Sequence, residues 1–144
     1  MGWLGFGLFL IFTHAYLWNG NDAFSKKQWV CFVLSLLAVF IGTLLLSLAL
    51  KGILTLWPLI TLPQAKSATL ILATSSLVVL MMKFFVVMLC TIFSWIMRFH
   101  RSQNAERYAR LTPISEKYAP KLLLITKVLA SAASVLIFYG IWLA

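Results

Sequence analysis

A run of 22 residues, Trp29 to Leu50, contains no charged side chain, and this limits how the chain can fold. A helix needs about 20 mainly apolar residues to cross the hydrocarbon core of a bilayer. A shorter apolar run precedes it, and two long ones follow. The pattern predicts an all-α, polytopic membrane protein. It forms a single domain, 1–144, with four transmembrane helices at about 3–18, 29–50, 70–97 and 122–143.

Composition supports this fold class. Hydrophobic residues make up 62% of the chain and charged residues only 10%, whereas soluble domains carry about 25% charged residues. A small soluble protein cannot bury so much apolar surface, because its surface is large relative to its volume. In a soluble protein, the net charge of +9 would suggest binding to nucleic acid. Here the basic residues sit at the ends of the apolar runs, so the expected partner is the lipid bilayer and no nucleic acid is expected.

Two connections between the spans attract attention. Residues 53–65 are apolar but too short to cross, and Pro58 and Pro63 are expected to interrupt any helix there. We therefore predict a short interfacial or re-entrant segment between helices 2 and 3. The polar segment 98–121 is predicted to extend helix 3 into the cytoplasm, with a Glu106–Arg110 pair one turn apart.

Further along that segment, Thr112 and Pro113 form a helix-start pattern, with Thr112 as the N-cap of a short helix. Pro120 is expected to begin the last element.

Positive charges predict the orientation. Eight Lys and Arg residues lie in 98–121 and 19–28, against only Lys51 and Lys66 between spans 2 and 3. The first group is therefore predicted to be cytoplasmic, with both termini on the other side of a bacterial inner membrane. The basic residues of 98–121 are candidates for contacting anionic lipid head groups or a protein partner: Arg98, Arg101, Arg107, Arg110, Lys117 and Lys121.

Lys83 is the candidate functional residue inside the membrane. A Lys at mid-bilayer costs at least about 2.5–3.5 kcal/mol, so such a residue is a functional hypothesis by default. Counted from Arg98, it lies about 22 Å along the helix, which places it within about 10 Å of the outer interface. No acidic residue occurs inside a span to pair with it. Snorkelling or helix packing is the alternative role.

Two histidines, His14 and His100, are weak candidates for ligating a haem or a metal, since both are predicted near cytoplasmic helix ends. Two lone residues on different helices offer no spacing test, and no cofactor is predicted.

Small residues predict close helix packing. Gly2, Gly5 and Gly7 would admit a neighbour to the first helix, and Ala130 and Ser134 form a small-xxx-small pair in the last.

No G-x-S-x-G, H-E-x-x-H or P-loop motif occurs, which argues against an enzyme. The preferred hypothesis is a non-catalytic accessory or assembly component of a larger membrane complex, including an immunity or exclusion role, with other membrane subunits as partners. One alternative is a small transporter or channel that uses Lys83 and residues 53–76. Another is an enzyme acting on a lipid-linked substrate through four residues on a shared helix face: Arg101, Asn104, Arg107 and Tyr108.

Overall fold

The computed structural model describes residues 2–56 and 61–144 and, within them, contains four α-helices and no strand. These are α1 (Gly2–Trp18), α2 (Lys26–Leu56), α3 (Leu62–Gln103) and α4 (Ala105–Trp142). The predicted all-α class is confirmed. The helices α2, α3 and α4 are each long and apolar enough to cross a membrane, and α1 is a shorter apolar helix. The chain is therefore a helical membrane-embedded protein, while four crossings remain a prediction.

The connection between α2 and α3 is shorter than expected. α2 continues through Lys51 to Leu56, and α3 already begins at Leu62. Thr61 and Gln64 form a capping box, which satisfies orphan N–H groups at the start of α3. Pro63 lies in the first turn, where its missing N–H costs nothing, so it opens a helix that we expected it to interrupt. Pro58 and the centre of the predicted interfacial or re-entrant segment lie outside the described residues.

The break between α3 and α4 falls at Asn104, eight residues before the predicted start at Thr112. Asn104 caps both helices, and its side chain accepts a hydrogen bond from the Arg107 backbone N–H (3.1 Å). Thr112 instead donates its hydroxyl to the Tyr108 carbonyl one turn back (2.8 Å). α4 runs unbroken through Pro113 and Pro120. The predicted N-cap at Thr112 and the new element at Pro120 are therefore wrong.

The predicted pair in this segment does form, because Glu106 and Arg110 approach to 2.7 Å. Both residues belong to α4, however, and not to an extension of helix 3.

α3 is the central helix and packs against the other three. α1 packs against α3 and α4, whereas α2 packs against α3 alone. Within the described residues no Cα atom of α1 lies within 8 Å of one in α2. A small apolar cluster of Leu17, Val86 and Ala130 joins α1, α3 and α4.

Beyond that cluster, α3 and α4 continue together as an antiparallel pair to the turn at Asn104. We call residues 88–103 and 105–122 the hairpin arm. At 1.5 Å per residue the arm extends about 24 Å past the end of α1.

Candidate functional site

Two lysines and one aspartate form the most unusual polar arrangement in the bundle. The Lys127 Nζ lies 2.8 Å from Oδ1 of Asp22, and the Lys83 Nζ lies 3.5 Å from the same oxygen. Lys83 and Lys127 are only 2% and 8% exposed. Asp22 comes from the loop between α1 and α2, while the lysines come from α3 and α4. The three side chains, which we call the ionic cluster, thus connect three parts of the chain.

The end of α1 supplies the remaining contacts of the ionic cluster. The carbonyl of Leu17 accepts a hydrogen bond from the Lys83 Nζ (3.4 Å). This carbonyl belongs to the negative end of the α1 dipole, so it offsets part of the second positive charge. The Trp18 ring faces the Lys127 ammonium at 5.8 Å, and the Trp18 indole donates to Ser131 Oγ (3.1 Å). The cluster therefore has two cations, one carboxylate and one helix C-terminus.

These contacts change the expected surroundings of Lys83. We expected a lysine without a carboxylate partner and close to the outer interface. The carboxylate comes from the loop at 19–25, which the charge distribution predicts to be on the cytoplasmic side, so with that topology Lys83 lies toward the cytoplasmic end. The depth predicted for Lys83 took Arg98 as the membrane boundary, whereas α3 continues to Gln103 beside a charged part of α4, so that depth remains a prediction.

The sequence singled out Lys83 but not Asp22 or Lys127, the two residues that surround it. Asp22 is one of three acidic residues and lies in a turn of small polar residues, which reads as an ordinary loop. Charge balance was the signal that could have found Asp22. Two lysines inside apolar runs need a nearby negative charge, and a short loop is the nearest place from which a carboxylate can come.

At the opposite end of the α1–α3–α4 bundle, the neutral side chain of Trp142 joins α4 to the other two helices. Its indole donates to Ser75 Oγ on α3 (3.0 Å), and its ring stacks on Phe9 of α1 with centroids 5.7 Å apart. A Cβ on Gly5 would overlap that ring, and one on Gly2 would overlap the Trp142 carbonyl. The predicted close approach is therefore confirmed for Gly2 and Gly5. It does not occur at Gly7, which faces open space.

The small-residue pair of α4 packs inside this chain's own bundle. Ala130 is 4% exposed and belongs to the cluster with Leu17 and Val86. Ser134 is fully buried, and its hydroxyl donates to the Ser131 carbonyl (2.7 Å). The predicted packing seam is confirmed.

The two histidines do not come together. The Nδ1 of His14 donates to the Leu10 carbonyl (2.8 Å), near the end of α1 that meets Lys83. His100 lies 17 residues after Lys83 on α3, about 25 Å further along the helix axis. That separation is too large for one haem or metal to join them. Within the described residues, no three His, Cys, Asp or Glu side chains gather as a metal site.

The hairpin arm carries all six basic residues singled out in the sequence, and all six are exposed. Arg98 and Arg101 lie on α3, and the others lie on α4. Lys117 and Lys121 both approach the Tyr118 ring, at 5.6 and 5.9 Å. The arm therefore presents a basic surface about 24 Å long.

Comparisons of the chain with protein-family models, curated proteins and solved structures found no match. The class, a helical membrane-embedded protein, therefore rests on the apolar helices alone.

Proposed function

We propose that this chain is a four-span accessory or assembly component of a larger membrane complex, without catalytic activity of its own. In this proposal it resides in a bacterial inner membrane, with both termini outside and the hairpin arm on the cytoplasmic side. The eight-to-two distribution of basic residues supports that orientation.

The observation that carries the proposal is the unlike character of the two helices of the hairpin arm. On α3, residues 88–97 contain no charge, and Trp95 is 65% exposed. Lys83 of α3 and Lys127 of α4 lie beside the same Asp22 oxygen, and the chain turns at Asn104. Residues 88–97 of α3 therefore lie roughly opposite residues 113–122 of α4. Those residues carry Glu116, Lys117 and Lys121, all exposed.

Neither water nor lipid solvates both helices of the arm well. Water disfavours the exposed aromatic and aliphatic side chains of α3, and hydrocarbon disfavours the charges of α4. An apolar helical surface of a partner subunit, packed on α3 of the arm, satisfies both conditions because α4 stays in water or among head groups. The exposed apolar residues of this surface are Leu89, Ile92, Phe93, Trp95, Ile96 and Phe99.

The contacts of Lys83 give little support to the transporter or channel alternative. A transport lysine must face a path for solute, whereas Lys83 is buried and bound to Asp22 and the Leu17 carbonyl.

The lipid-linked enzyme alternative needs its four residues on one helix face, and in the structure they lie on two different helices and at the break between them. Arg101 lies before the break at Asn104, and Arg107 and Tyr108 lie after it. The Asn104 side chain is already engaged as a helix cap.

Site-specific photo-cross-linking tests the proposed partner surface. A photoreactive amino acid at Trp95 or Phe99 should give protein adducts of one fixed mass in native membranes. The control is the same amino acid at Leu136, which is 74% exposed on α4 outside the arm and should give no such adduct. Equal labelling at all three positions, or a lone monomer in mild detergent, would contradict the proposal.

The orientation has its own test, which uses cysteines placed in Cys31→Ser, Cys90→Ser protein. A cysteine at Ser102, in the hairpin arm, should resist a membrane-impermeant maleimide added to whole cells. A cysteine at Ala144 should react. The reverse result would invert the topology.

A further inference from the structure

A groove runs along one side of the bundle, where α1 and α2 both pack on α3 without approaching each other. Its first cavity, of about 370 Å³, is lined by Phe9, Phe12 and Tyr16 of α1 and by side chains of α2 and α3. This volume is within the range of small-molecule sites, about 300–1,000 Å³. Aromatic and aliphatic groups dominate the wall, and its serine hydroxyls, Ser35 and Ser76, donate to carbonyls of their own helices.

A second cavity, of about 350 Å³, continues the first along α2 and α3. Val39 and Ser76 line both cavities, so the two form one elongated groove. On α3 the groove extends from Thr69 to Leu80, which is about 16 Å of helix. The residues that line the second cavity include three small ones, Ala38, Gly42 and Ala73.

A positively charged region lies beyond one end of the groove, past the rings of Trp29, Phe32 and Phe84, which pack between α2 and α3. Leu80 lies one turn before Lys83, and Tyr16 precedes Leu17, whose carbonyl binds Lys83. The exposed Lys26 and Lys27 start α2 about 12 Å beyond Ser35. Together with the ionic cluster they leave this end with a net charge of +3, from four lysines and Asp22. The positive end of the α2 dipole adds to this charge, whereas the negative end of the α1 dipole, at the Leu17 carbonyl, offsets part of it.

We propose that the groove binds one acyl chain of an anionic phospholipid, whose phosphate lies toward Lys26 and Lys27. An elongated apolar groove with cationic residues beyond one end matches a molecule with a long apolar chain and a negative head. Basic residues near the membrane surface attract anionic lipids through their charge. The inference rests on the membrane location of the helices and does not require the partner subunit.

Native mass spectrometry of the full chain in mild detergent tests the proposal, with dioleoyl phosphatidylglycerol or dioleoyl phosphatidylcholine added. The native protein should retain one phosphatidylglycerol and much less phosphatidylcholine. Gly42→Leu should fill the groove and lower retention of both lipids at least tenfold. Gly140→Leu is the matched control, because a Cβ at either glycine meets nothing within 4 Å and only Gly42 lines the groove.

The head-group end is tested separately. The double change Lys26→Ala, Lys27→Ala should lower phosphatidylglycerol retention roughly tenfold or more and leave phosphatidylcholine unchanged. The charge-matched control, Lys51→Ala with Lys66→Ala, removes two lysines from the opposite end of the α2–α3 pair and should have little effect.

Three results would overturn the inference. The first is equal retention of the two lipids by the native protein, and the second is retention that Gly42→Leu does not reduce. The third is a dimer of the chain that Gly42→Leu disrupts, which would assign the groove to a second copy. Loss of lipid retention leaves cross-linking at Trp95 unaffected, so failure here is distinguishable from failure of the proposed function.

Discussion

The two ends of the α1–α3–α4 bundle join the same three helices by different means. At one end, the ionic cluster binds Lys83 and Lys127 to Asp22. At the other end, the Trp142 indole donates a hydrogen bond to Ser75, and its ring stacks on Phe9 and packs against Gly5. Removing one side chain of the ionic cluster leaves a buried charge unpaired, so we expect the stability of the protein to be highly sensitive to substitution at this end. The aromatic end depends more on shape.

The largest expected effect comes from Asp22→Ala, which leaves two buried ammonium groups without their carboxylate. Breaking a buried ion pair typically costs about 3–5 kcal/mol. We expect a correspondingly large drop in the unfolding midpoint, measured in detergent by thermal or denaturant titration. The triple variant Asp22→Leu, Lys83→Met, Lys127→Met removes all three charges and should recover much of the loss. An Asp22→Ala protein as stable as the native chain would contradict the ionic cluster.

A smaller effect is expected at the aromatic end from Gly5→Ala. The new Cβ overlaps the Trp142 ring, and forced overpacking costs about 1–3 kcal/mol. Gly7→Ala is the matched control on the same helix. It faces open space and should be neutral or stabilising, because Ala favours helix over Gly by up to about 1 kcal/mol. Equal stabilities of the two variants would mean that Trp142 does not pack over Gly5.

Ser75→Ala removes only the acceptor for the Trp142 indole. In a membrane bundle such a hydrogen bond contributes about 0.6 kcal/mol, so a loss of this order is expected. The Ser76→Ala control removes a hydroxyl bound within its own helix, to the Leu72 carbonyl (2.8 Å), and should cost less. The measurement is the same denaturant titration. A larger effect at Ser76 than at Ser75 would contradict the assigned contact.

The smallest effect is expected from Glu106→Gln in the hairpin arm. The Glu106–Arg110 pair is short, at 2.7 Å, but both side chains are 79% exposed. Exposed pairs one helical turn apart contribute about 0.3–0.5 kcal/mol. The midpoint should shift far less than in Asp22→Ala, although both changes remove one carboxylate. Comparable shifts would show that burial does not set the difference between the two ion pairs.

The location of the apolar helices was predictable because the signal is local. A run such as Trp29–Leu50 identifies a lipid-embedded helix without any knowledge of its neighbours. The Ala130–Ser134 seam and the close approach at Gly5 were predictable for the same reason, since small residues one turn apart permit close packing. Helix ends were predicted less well, because Asn104, Thr112 and Pro113 all carry terminus signals and only one position became the break.

The apolar runs were enough to assign the helices of this chain to lipid and to locate most of them. The pairing of Asp22 with lysines 61 and 105 positions away in the chain became visible only from the packing of the helices. The same is true of α1 and α2, which both pack on α3 without approaching each other. The physical reason is that hydrophobic runs and helix signals act between neighbours in sequence. The partner of a buried charge depends on how separate helices pack.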